Sequence, residues 1–176
     1  MTTLPQDQEH EAGTYEDLRS LTNRLVWTVN LQVQRVREVF ATAPPASFAL
    51  RPVSDAEFLV ISLYRFLAAA RQIDRLTGGS LAQPIAEFDA ALPNLRAARN
   101  VVAHIDEYLT GDGRDRSVTV GQLVAHLFDD ERLDFAGFEL DLRAALSATE
   151  NVFAAIRENP PTSLTKAVAR AQRQPP

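Results

Sequence analysis

The sequence predicts an all-α fold: a helical bundle of four principal helices with a shorter helix, and a small β-hairpin near residues 117–140 where strand and helix are alternatives. Three observations carry this. Apolar residues recur at spacings of three, four and seven through most of the chain. Prolines and glycines gather at a few points between those runs. The 176 residues, 45% hydrophobic and 23% charged, suffice for one domain with a real core.

From Tyr15 to Thr42, Leu18, Leu21, Leu25, Val29, Val36 and Val39 form one stripe of a long amphipathic helix, which Pro44 and Pro45 end. Ser54-Asp55-Ala56-Glu57 has the form of a capping box, with Val53 and Phe58 placed as a hydrophobic staple. A second helix is expected to start there and to run through Leu59, Leu63, Phe66, Ala70 and Ile73 to the stop at Gly78-Gly79. Val60, Ile61 and Ala68 widen its apolar surface, so it should be the most enclosed helix. A short helix follows from Ser80 to Leu92, interrupted or started near Pro84. Pro93 opens another, or kinks it, and that helix continues to about Leu109 before Thr110-Gly111-Asp112-Gly113. Between Ser117 and Phe138 the pattern is mixed, with Leu133–Phe138 suited to a strand pair around a turn. Leu142, Leu146, Thr149, Phe153 and Ile156 restore helical spacing from Asp141 to Arg157.

Charge marks the ends. Residues 1–17 hold five acids and no base, and residues 159–176 hold Lys166, Arg170 and Arg173 and no acid. Both ends lack large apolar residues, so 1–13 is expected as a mobile acidic tail, 14–158 as the bundle domain, and 159–176 as a mobile proline-rich basic tail. Without cysteine, thiolate metal sites, disulfides and cysteine nucleophiles are excluded. No apolar run approaches a membrane span and the N-terminus lacks the pattern of a signal peptide, so the expectation is a soluble, cytoplasmic chain with no membrane partner. A net charge of −5 argues against nonspecific coating of nucleic acid, though not against a local basic site.

The chemistry concentrates in Leu95–Tyr108. On one continuous helix, Asn100, His104 and Tyr108 would share a face, and Arg99 would stand roughly 140° from His104 at about 100° per residue, within reach of a long side chain. Histidine exchanges protons near neutral pH, and arginine clamps a phosphate with two hydrogen bonds. Those are the parts of a metal-independent ribonuclease.

The run Arg99-Asn100-Val101-Val102-Ala103-His104 resembles the R-N-x-x-x-H motif of HEPN-domain proteins (higher eukaryotes and prokaryotes nucleotide-binding), where it lies on a late helix of a bundle. Many members of that family are ribonucleases, often toxins or antiviral effectors, and dimerisation joins two motifs into one composite site. The resemblance implies that Arg99 stabilises the charged transition state, Asn100 positions it, and His104 is the general base or acid at the 2′-hydroxyl. It also implies RNA as substrate, a homodimer, and an inhibitory protein partner, with no cofactor or metal. Arg96 and Tyr108 are candidate supporting residues.

A second reading stands beside it: a noncatalytic dimeric helical bundle, an interaction protein in which the same residues are structural. There His104 pairs with a carboxylate at an interface and Arg99 pairs with Asp89 or Glu107. Other candidates are weaker. Asp106 and Glu107 diverge from His104 on a helix, and Asp129-Asp130-Glu131 points several ways, so neither predicts a metal site. His126, among apolar neighbours, reads as a packing residue, and Trp27 as core or interface.

Overall fold

The computed structural model describes residues 6–42 and 50–161. In order, these form α1 (Gln6–Thr42), α2 (Leu50–Leu76), α3 (Ala82–Ala91), α4 (Leu95–Ala103), α5 (Ile105–Leu109), β1 (Ala125–Phe128), β2 (Arg132–Phe135), β3 (Phe138–Asp141) and α6 (Leu142–Glu158). The chain is mostly helical and carries one small antiparallel sheet ordered β1-β2-β3.

Helices α1 and α2 pack antiparallel. Arg35, late in α1, meets Asp55, early in α2, while Leu18, Leu21 and Leu25 share a surface with Ala68, Ala69 and Gln72. The stripe Val29, Val33 and Val36 is wholly buried between them. Helix α2 also touches α3, α4, α6, β1 and β2, so its Leu59, Leu63, Phe66 and Ile73 are the centre of the core. Each such side chain contributes roughly 1.5–3 kcal/mol on burial. Of the residues expected to widen the apolar surface of α2, only Val60 is buried; Ile61 is half-buried and Ala68 exposed.

Several expectations change. Helix α1 already includes residues 6–13, which composition alone assigned to a tail; residues 1–5 and 162–176 lie outside the described residues. Helix α2 starts at Leu50, so Ser54-Asp55-Ala56-Glu57 lies inside it and is no cap. Pro52 fits the first turn, where a backbone N–H would lack an intrahelical acceptor anyway. Asp55 is instead buried and accepts from Arg35 Nε at 2.8 Å.

From Ala125 on, the segment 117–140 is sheet, with three strands in place of the single expected hairpin. Phe135 pairs with Phe138 across Ala136-Gly137, and both loop residues have positive φ, 55° and 79°, as a two-residue type I′ hairpin requires. The Gly137 N–H donates to Asp134 Oδ1 at 3.1 Å and secures the turn. Val118 and Val120 belong to no strand; Val120–Gln122 is a single 3₁₀ turn. Leu133, Phe135 and Leu140 point into the core. His126 faces out beside Phe128, because Ala125 and Leu127 take the inward positions of β1, so it is not a packing residue.

Asp141 caps α6, accepting from the Ala144 N–H at 2.8 Å. Just before β2, Glu131 accepts from Arg37 at 2.6 Å and from Arg143 at 3.0 Å, joining α1, the sheet and α6. No helix among the described residues is long and apolar enough to cross a membrane.

Candidate functional site

The helix that carries the motif is not continuous. Its regular turns end at Ala103, and His104 has φ −131° and ψ 33°. The His104 N–H bonds back to Val101 O, one residue short of the α-helical partner, and α5 then begins in a new direction. Asn100, His104 and Tyr108 therefore do not line up on one face. Asn100 is exposed, His104 half-buried and Tyr108 buried.

Tyr108 is structural. Its ring lies where a β-carbon on Gly113 would sit, and its hydroxyl accepts the Asp115 N–H at 3.2 Å. The break at His104 thus turns the last helical turn so that it is covered by the loop that follows. The expected supporting role for Tyr108 at a polar stripe does not fit this burial.

Arg99 extends toward α2. Its guanidinium carbon stands 4.9 Å above the Tyr64 ring, a cation–π contact, and its Nη1 lies 3.4 Å from Asn100 Oδ1. It pairs with neither Asp89 nor Glu107: Asp89 accepts from Arg71 through both oxygens, and Glu107 is engaged elsewhere. Arg99, Val102 and Ala103 of α4 face Ile61, Tyr64 and Arg65 of α2 across an open cleft of about 280 Å³. Arg96 lies beside a second cavity of about 340 Å³, with Tyr64, Leu67, Arg71, Asp89, Leu92, Pro93 and Leu95.

His104 lies one residue beyond Ala103 but is outside the lining of that cleft. Its Nδ1 is 3.1 Å from Glu107 Oε1, and the other Glu107 oxygen is 3.4 Å from Arg114 Nε. The carboxylate stands on the Nδ1 side of the ring, and Nε2 is the nitrogen left for a substrate proton. Arg99 thus lines the cleft while His104, just past its edge in sequence, does not.

Tyr64 and Arg65 were not singled out from the sequence because they lie on a helix some 35 positions earlier. A signal for them exists. Ile61, Tyr64, Arg65, Ala68, Arg71 and Gln72 recur at three and four, marking the less buried side of α2. The remaining candidates contribute no site: Trp27 is 73% exposed and so is not core, Asp129 pairs with Arg132, and Glu131 serves the ties to α1 and α6. Among the described residues, no three His, Asp or Glu side chains come together as a metal-binding group.

Compared with known proteins, the chain matches no family model, no curated protein and no solved structure.

Proposed function

We propose that this chain is a HEPN-like, metal-independent endoribonuclease of the toxin or defence type. It is built on four principal helices, α1, α2, α4 with α5, and α6, and works as a cytoplasmic homodimer held in check by a protein partner. One observation carries the reading: the Glu107 carboxylate stands 3.1 Å from His104 Nδ1, while the nearby Arg99 has no carboxylate partner among the described residues and borders an open cleft. A proton acceptor and a guanidinium not neutralised by a carboxylate are what RNA cleavage at a phosphodiester needs.

In the proposed reaction His104 Nε2 takes the 2′-hydroxyl proton and the 2′-oxygen attacks phosphorus. The bond to the 5′-oxygen breaks, and that oxygen leaves with the proton that the imidazole took up, which restores His104. The products are a 2′,3′-cyclic phosphate and a 5′-hydroxyl. Arg99 neutralises the charge gathering on the phosphoryl oxygens, with Asn100 steadying its guanidinium and Arg96 adding positive charge. Since Arg99 lines the cleft and His104 does not, a composite site at a dimer interface is the arrangement proposed to bring both to one phosphate.

The noncatalytic dimeric bundle is favoured by a different observation: Arg99 already stacks on Tyr64, and His104 already pairs with Glu107. The experiment that decides is incubation of wild type and His104→Ala with total tRNA and a structured RNA in EDTA, with analysis of product ends. Cyclic phosphate ends from wild type alone support the enzyme. Cleavage by both proteins, or by neither, removes it.

A further inference from the structure

The two cavities beside α4 are both lined by Tyr64. Around them α2 supplies Arg65 and Arg71, and α4 supplies Arg96 and Arg99. The lining contains a single acid, Asp89, and both its oxygens are taken by Arg71 at 2.9 and 2.6 Å. Arg65, Arg96 and Arg99 have no carboxylate partner among the described residues. In a chain of net charge −5, three unneutralised guanidinium groups on one groove are a local reversal of sign.

The aromatic ring sits at the middle of this basic run. Arg99 covers Tyr64 from the side of the smaller cleft; the larger cavity, which Arg99 does not line, opens on Tyr64 as well. Guanidinium groups spaced along a groove bind successive phosphates, and an aromatic ring between them offers a surface for a base. A duplex keeps its bases stacked on one another and unavailable to such a ring, so the geometry favours a single strand.

We infer that the groove between α2 and α4 seats single-stranded RNA, with one base against Tyr64 and the flanking phosphates on Arg65 and Arg96. This rests on the ribonuclease reading for its choice of RNA and names the substrate class of that site. Arg71, which also lines the larger cavity, is neutralised by Asp89 and is not assigned a phosphate. A strand so placed passes Arg99, which is the group the proposed cleavage requires beside the scissile phosphate.

The test is fluorescence anisotropy with a labelled single-stranded RNA oligonucleotide and the full-length His104→Ala chain, whose folding is first checked by circular dichroism. Tyr64→Ala should weaken binding about tenfold, within what stacking supplies per base, and Tyr64→Phe should keep it. Replacing Arg65 and Arg96 with alanine should lower the slope of log affinity against log salt by about 0.7 for each phosphate left without its guanidinium. A duplex of the same sequence should bind more weakly. Unchanged affinity in both the Tyr64→Ala and the double arginine variants overturns the groove as the binding site. Equal binding of the duplex overturns the single strand, and equal binding of polyglutamate overturns nucleic acid. RNA bound as expected but left intact by wild type retains the groove and removes the proposed cleavage, so the two failures are separable.

Discussion

The hydroxyl of Tyr15 donates to the carbonyl of Ile156 at 2.8 Å, tying the start of α1 to the end of α6. The need for this bond is written four residues downstream. An α-helical carbonyl accepts from the N–H four positions on, and here that position is Pro160, which has none. Tyr15 is buried and supplies the missing donor. Burial, and after it the charge of Glu16, pushes its phenol above the ordinary value, so the donor proton stays in place. Tyr15→Phe should leave the Ile156 carbonyl unsatisfied and cost about 1–3 kcal/mol. Urea unfolding would show it as a lower midpoint at unchanged slope, and an unchanged midpoint would refute it.

Gly113→Ala should also destabilise, for a steric reason. A β-carbon at 113 would overlap the Tyr108 ring, which is buried and cannot swing into solvent without exposing its apolar body. Overpacking of this kind costs about 1–3 kcal/mol. Thermal melting measures the loss, and Gly113→Ala combined with Tyr108→Ala should suffer less than the two single changes added together.

Two glutamates should respond to acid with opposite sign. Hydrogen bonds from Arg37 and then Arg143 hold Glu131 below its ordinary 4.5, whereas burial pushes Glu57 above that value. The folded chain binds a proton at Glu131 less readily than the unfolded chain does. Its contribution is therefore complete above pH 4.5 and is lost as pH falls through the lowered folded value. At Glu57 the folded chain binds the proton more readily, so ionisation there costs stability as pH rises through the raised folded value. Glu131→Gln should destabilise at neutral pH and converge on wild type in acid. Glu57→Gln should stabilise at neutral pH, with that gain gone below its ordinary 4.5. Denaturation at both pH values checks the pair; two variants with the same sign of effect at neutral pH would contradict it.

Helices α2, α3 and α6 were legible because their apolar stripes repeat with the helical period and end at Gly78-Gly79, Leu92 and Pro160. The strand pair of 132–141 was legible as an alternative, since Ala136-Gly137 is a turn signal between apolar residues. The false cap at Ser54 shows where local reading stops. Capping chemistry is specified by four residues, but Asp55 is claimed by Arg35, twenty residues away, and only the packing of α1 on α2 brings that partner near. The site divides in the same way. Arg99 and His104 are read directly from the chain, whereas the break at His104 and the Tyr64 wall depend on packing against the loop at Gly113 and against α2.

The pairing of His104 with Glu107 leads to a test of catalysis itself. If Nε2 is the base, its aim depends on what holds the ring from the other side, and Nδ1 stands 3.1 Å from the Glu107 carboxylate. His104→Ala should lower cleavage of single-stranded RNA by about 10²–10⁴-fold, the range of general acid–base catalysis. Glu107→Ala removes the carboxylate beside the ring and should lower kcat by about tenfold while leaving KM alone, because no group that touches RNA is removed. Glu107→Gln keeps an acceptor oxygen toward Nδ1 and should fall between that variant and wild type. Arg114→Ala, which touches only the other oxygen of Glu107, should change kcat little. A merely structural Glu107 would lower the melting temperature of its alanine variant without altering kcat, and that result would separate the imidazole from the proposed chemistry.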